Sequence, residues 1–170
     1  MIEEKIYITA EGAKSLRDEL DTLWRKTRRE VTRQVSEAAA LGDRSENADY
    51  IYGKKRLREI DKRIRYLTKR LESLSIVETL PKDLAKVYFG AWVTIENDSG
   101  KIETIRLVGP DEIEPKSRWI SINSPMARAL IGKKRGDNCE VMTPEGKSEI
   151  LILDIEYKTT SRQKNELRAK

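Results

Sequence analysis

The chain has 170 residues, 37% of them charged and 38% hydrophobic, with a net charge of +5 and a mean hydropathy of −0.67. It has no histidine and one cysteine, Cys139, which excludes histidine general bases, His–metal sites, Ser-His or Cys-His catalysis, a disulfide framework and a thiolate zinc centre. No signal peptide or membrane-length apolar run is present, so a soluble cytoplasmic protein is expected.

The charge is uneven. Residues 1–78 hold 18 Lys and Arg against 15 Asp and Glu, 79–158 hold 12 against 13, and the tail from 159 holds 4 against 1. A basic N-terminal part favours a polyanionic partner. So wet a composition suits an exposed coiled coil joined to a modest core.

After a short strand-like start, Thr9 is a candidate helix N-cap, with Glu11 in the first turn where the helix dipole favours acid. Apolar or small residues then recur at Ala13, Leu16, Leu20, Leu23, Val31, Val35 and Ala38. A second series, Tyr50, Gly53, Leu57, Ile60, Ile64, Leu67, Leu71 and Leu74, alternates steps of three and four. That is the seam of a coiled coil. Each side is a Pro-free run of about 30 residues, a rod of roughly 45 Å at 1.5 Å per residue. The connection, LGDRSENADY (Leu41–Tyr50), is short, so the rods must pair antiparallel with these residues at the tip. Gly42 suits the left-handed position that ends the first helix.

The period changes near Ser75–Asp83, and Pro81 marks a linker. Val87, Phe89, Ala91, Val93 and Ile95 then alternate as in a strand, followed by a turn at Asn97–Gly100. Further strands are expected around Ile102–Val108, Trp119–Ile122, Cys139–Met142 and Ser148–Glu156, the last two joined through Thr143–Gly146. One short helix fits SPMARALIG, with Ser124 as N-cap, Pro125 at the first position and Gly132 past the end. The fold class is therefore α+β: a long antiparallel helical hairpin over 1–78, a small and mostly antiparallel sheet with one helix over 79–158, and a basic, disordered tail over 159–170.

Two constellations carry chemistry. At the tip, Asp43 and Glu46 are three residues apart, with Asp49 close behind. One reading is a capping box that starts the second helix, with Ser45 as a rival N-cap. The other is a half-built metal site, strong only when a partner completes it, because Mg²⁺ keeps its waters and relies on further carboxylates or phosphate. The second constellation is basic. Lys54, Lys55, Arg56, Arg58, Lys62, Arg63, Arg65, Lys69 and Arg70 crowd the second helix, and Arg25, Lys26, Arg28, Arg29 and Arg33 the first. Lys54, Arg58, Lys62, Arg65 and Lys69 form one stripe beside the seam. Either it is a solvated face partly neutralised by Glu59 and Asp61, or it holds a nucleic-acid backbone. SPMARALIGKKRGD lacks the glycine spacing of a phosphate loop, and Cys139 fits a buried small residue.

LGDRSENADY, KKRLREIDKRIRYL, FGAWVTIEND and SPMARALIGKKRGD, in that order, resemble the Gre family of bacterial transcript-cleavage factors, closest to its GreB branch, from about Ile8 to Tyr157. The resemblance implies a C-terminal domain of FKBP-like fold that docks on RNA polymerase, and a coiled coil that enters the polymerase secondary channel when the enzyme has backtracked. It implies that Asp43 and Glu46 help hold a second catalytic Mg²⁺, shared with the polymerase, and position the attacking water. The protein is then no enzyme itself; it activates cleavage by the polymerase. Lys54, Lys55, Arg56, Arg58, Lys62 and Arg65 would hold the 3′ end of the nascent RNA, and a dense stripe favours GreB-type handling of longer backtracked RNA. A monomer without membrane contact is expected. Three rivals share parts of this architecture: a channel-entering inhibitor, a prolyl isomerase or chaperone with a coiled-coil arm, and a stand-alone RNA-binding arm. The Ser-Glu-Asn that follows the Asp43–Arg44 pair argues against the first, and the single Phe makes the second's aromatic pocket hard to build.

Overall fold

A computed structural model describes residues 5–144 and 146–158; the expected basic tail over 159–170 lies outside them. Contacts divide the chain into two units, Glu11–Leu74 and the remainder on either side of it. The first strand therefore groups with the C-terminal sequence, whereas the expected division set 1–78 apart as the hairpin.

The hairpin unit consists of α1 (Ala10–Thr22), a π turn (Leu23–Thr27), α2 (Arg28–Ala40) and α3 (Ala48–Ser73). Its seam is the expected one: Val31, Ile60 and Ile64 are buried together, with Leu20, Leu23, Val35 and Leu57 packed against them. The π turn was not foreseen, and its cause is in the spacing. Leu23 to Val31 spans eight residues where a heptad needs seven, and a wider turn absorbs the extra residue so that both apolar runs face α3. Near the tip the helices come close at Gly53. A β-carbon there would stand 2.7 Å from Val35 Cγ2, too near for a stiff β-branched side chain to relieve cheaply. Cross-helix ion pairs flank the seam, Arg28–Asp61 at 2.7 Å and Arg63–Glu19 with two bonds of 2.7 and 2.9 Å. Half-exposed pairs of this kind add about 0–1 kcal/mol each; apolar burial does most of the work.

The other unit begins with β1 (Ile6–Thr9), which pairs with β2 (Leu74–Val77). Leu74 was expected as the last seam residue of the helix; it opens β2 instead, because the following Ser-Ile-Val finds a strand partner. Beyond it β3 (Trp92–Asn97), β4 (Ile102–Val108), β5 (Trp119–Ser121), β6 (Asn138–Thr143) and β7 (Gly146–Glu156) form one sheet in the order β5-β4-β3-β7-β6. Within this sheet only the β4–β5 pairing is parallel. A register shift opposite Thr94 and Ile95 leaves Leu153 as an extra residue in β7. The helix α4 (Pro125–Leu130) follows the expected rules: Ser124 Oγ accepts from the Ala127 N–H at 3.2 Å, and Gly132 has φ +76. Ala127 and Leu130 complete a core with Val93, Ile95, Leu107 and Ile152, and Cys139 is buried as expected.

The first expected strand starts late. Val87 and Ala91 are fully buried, yet residues 87–91 form no strand: the chain turns at Phe89 and Gly90, with Gly90 at φ +82, and the ladder begins at Trp92. Alternating burial at the edge of a core mimics a strand there. Within the same unit, the buried Glu112 accepts from the Gly109 N–H and the Thr9 N–H, each at 3.0 Å, and from the Thr9 hydroxyl. Three donors satisfy a carboxylate that would otherwise be costly to bury.

Candidate nucleic-acid and metal interface on the hairpin

The tip starts where α2 stops. The Leu41 N–H bonds to Ala38 O at 3.2 Å, and Gly42 turns the chain with φ +134. The second helix then begins neither at Asp43 nor at Ser45. Asn47 is its N-cap: Oδ1 accepts from the Tyr50 N–H at 3.1 Å, while Nδ2 donates to Ala38 O at 2.8 Å. One amide side chain thus closes both helix ends. The capping-box expectation is corrected, and for a physical reason: Asn caps as well as Asp or Ser, and only Asn brings a donor that reaches the carbonyl at the end of α2.

This leaves the tip acids outside the bonding that joins the two helices. Asp43 is fully exposed, and its Oδ1 accepts from the Ser45 N–H at 2.9 Å and the Ser45 hydroxyl at 2.8 Å. The backbone bond first, and the hydroxyl second, hold its carboxyl below the usual carboxylate range. Glu46 is exposed and makes no hydrogen bond or ion pair among the described residues. Arg44 folds over the Tyr50 ring at 5.8 Å instead of pairing with either acid.

The described residues contain no group of three or more acids, cysteines or histidines able to enclose a metal ion. Two hard-oxygen carboxylates on an open loop fit magnesium as a partial shell, the usual protein contribution for an ion that keeps waters and phosphate.

The basic residues separate into two groups. On the first arm Arg25 pairs with Asp21 at 2.5 Å, Arg28 with Asp61, and Arg33 with Glu37 at 3.5 Å. On α3, Arg63 is taken by Glu19. Lys54, Lys55, Arg56, Arg58, Lys62, Arg65 and Lys69 are all exposed, with no ion pair or hydrogen bond among the described residues. The expected neutralisation by Asp61 does not occur, because that acid turns across the seam to Arg28. An uncompensated cationic stripe therefore runs down α3 from the tip, with no ion pair to break before it meets phosphates, whose counterions it would release.

A two-helix arm with an open acidic tip and a bare cationic flank, joined to a small β domain, defines a class, and the chain belongs to the GreA/GreB family of transcription elongation factors. Residues 6–76 match the family described as "Transcription elongation factor, N-terminal", and residues 81–157 the one described as "Transcription elongation factor, GreA/GreB, C-term". It is 59% identical over 152 residues to transcription elongation factor GreB of Yersinia pestis, covering 89% of each chain. It is 57% identical over 155 residues to GreB of Haemophilus ducreyi, covering 91% of this chain and 96% of the other. A solved structure, GreA factor homolog 1 (Gfh1) of Thermus thermophilus, is 26% identical, with 90% of this chain and 99% of that one covered and a TM-score of 0.42. An elongation factor, not an isomerase or a free RNA-binding arm, is what the motifs pointed to. No helix among the described residues is long and apolar enough to cross a membrane.

Proposed function

We propose that this protein reactivates backtracked RNA polymerase by stimulating cleavage of the 3′ end of the nascent RNA. The hairpin enters the secondary channel tip first. Asp43 and Glu46 supply carboxylate oxygens to a Mg²⁺ shared with the polymerase, and Lys54, Lys55, Arg56, Arg58, Lys62 and Arg65 hold the extruded RNA by its phosphates. A bound Mg²⁺ supplies Lewis-acid polarisation of the phosphodiester and a more acidic water. Ser45 keeps Asp43 ionised and oriented, and Glu46 is free to turn towards the ion. The polymerase is the enzyme; this chain acts as a cytoplasmic monomer that completes its site.

The observation that carries this reading is the division of labour at the tip. Asn47 supplies the side-chain caps of the helices, so neither acid is used as a cap: Asp43 only accepts from Ser45 within the loop, and Glu46 makes no bond among the described residues. Adding the protein to purified backtracked elongation complexes with Mg²⁺ should release short 3′ RNA fragments. Suppression of the polymerase's own cleavage would instead make it a channel-blocking inhibitor.

A further inference from the structure

The π turn leaves Trp24 on the outside of the hairpin with 58% of its surface exposed, an unusual position for an indole on a two-helix stalk. Its ring borders a groove of about 390 Å³, whose other walls are Leu20, Ile64 and Thr68 and whose rim carries Arg17 and the Arg25–Asp21 ion pair. The Arg28 guanidinium lies 5.8 Å from the ring centroid and is fixed by Asp61. On α3 the residues immediately after the two groove residues Ile64 and Thr68 are Arg65 and Lys69, both exposed members of the unpaired stripe. The groove and the stripe are thus contiguous on one flank of the hairpin.

We infer that Trp24 is a stacking platform for one base of the extruded RNA, placed beside the phosphate-binding stripe. The inference rests on the transcript-cleavage reading and extends it. Non-sequence-specific single-strand sites combine a cationic track for the backbone with an aromatic face for bases, because every base has a π-face. On α3 itself Tyr66 follows Arg65, but its ring is taken by the Arg63 guanidinium at 5.3 Å; folding supplies a further aromatic from the opposite arm. A protein segment would be held by an apolar rim, whereas this rim carries Arg17 and the Arg25–Asp21 ion pair, with the exposed Arg65 and Lys69 next along α3. Trp24 stands seventeen residues before Leu41 in sequence, about 25 Å along the helix axis. Only RNA extruded well past the tip reaches it.

The test uses backtracked elongation complexes, comparing wild type, Trp24→Leu and Trp24→Tyr, on complexes backtracked by two or three nucleotides and on extensively backtracked ones. Circular dichroism establishes that both variants remain helical. In parallel, 5-iodouridine is placed along the extruded RNA and its photocrosslinks to the protein are mapped. Trp24→Leu keeps the apolar surface and loses the stacking face. It should slow cleavage of extensively backtracked complexes by about five-fold or more, the low end of base–aromatic stacking, with short backtracks unaffected. Trp24→Tyr should restore most of the rate, and crosslinks should fall on Trp24. Full activity of Trp24→Leu on long backtracks overturns the inference. So does an equal loss on short and long ones, which marks a contact with polymerase or packing within the hairpin. If the wild type releases no fragments from any complex, the cleavage reading fails and takes this inference with it.

Discussion

Asn47 and the acids that precede it divide structure from function within five residues. Asn47→Ala removes a cap and the bond to Ala38 O, and should cost the hairpin about 0.5–2 kcal/mol in thermal or urea unfolding. Glu46→Ala should unfold like the wild type, and Asp43→Ala, which removes only the exposed bonds to Ser45, should lose less than Asn47→Ala; a loss matching that of Asn47→Ala would return the acids to a capping role. The sequence showed that a helix starts near here but placed its start about four residues early, because Asp43 and Glu46 have the spacing of a capping box. The competing signal was Asn47 itself, whose advantage depends on where Ala38 O lies in space. Ser45 has a testable effect of its own. Asp43's depressed pKa means that its bonds to Ser45 stabilise the loop above the ordinary carboxylate range and are lost as pH falls through the lowered value. Ser45→Ala removes the hydroxyl and keeps the backbone donor, so the Asp43 midpoint in an NMR titration should rise towards the ordinary value. An unchanged midpoint would mean that the hydroxyl bond does not form in solution.

At the scale of elements, the two helices were legible because alternating three- and four-residue steps, sustained over many turns, keep one apolar face on a helix and on no strand. The π turn was legible only as an irregular gap between Leu23 and Val31, since a spacing of eight does not say how the helix accommodates it. Lys26 lies in that turn, exposed and without an ion pair among the described residues. Deleting it restores a seven-residue spacing, and the hairpin should remain helical with a Tm within about 5 °C of wild type. Collapse of the helical signal would contradict the idea that the turn exists to absorb one residue. The stripe was visible in composition, but its freedom from ion pairs was not, because Asp61 could have turned either way. Neutralising Lys54, Arg58, Lys62 and Arg65 together should slow cleavage of extensively backtracked complexes more than of those backtracked by two or three nucleotides. Two to three helical turns, at about 5.4 Å each, separate the tip from Arg58, so only longer RNA reaches that far. The difference should shrink as salt rises. An equal, salt-independent loss would assign the stripe to polymerase contact or to plain solvation.

The whole molecule combines a hairpin whose tip acids take no part in capping its helices with a β unit built by ordinary core rules. Strand positions in that unit followed from alternation and turn residues, and the errors lie where burial and pairing part company. Val87 and Ala91 are buried without being in a strand, and Leu74 fits a helical seam yet pairs with β1. The function needed more than periodicity, because two carboxylates on a loop become a metal site only in company. The most direct measurement is Mg²⁺-dependent transcript cleavage in purified backtracked RNA polymerase complexes, comparing the wild type with Asp43→Asn and Glu46→Gln, with binding to polymerase measured alongside. Wild type should release short 3′ RNA fragments, while each variant should lose most of that activity and bind within a few fold of wild type, since tip and stalk act at different steps. Undiminished cleavage by the variants, or cutting of RNA by the protein without polymerase, would contradict this role for the tip.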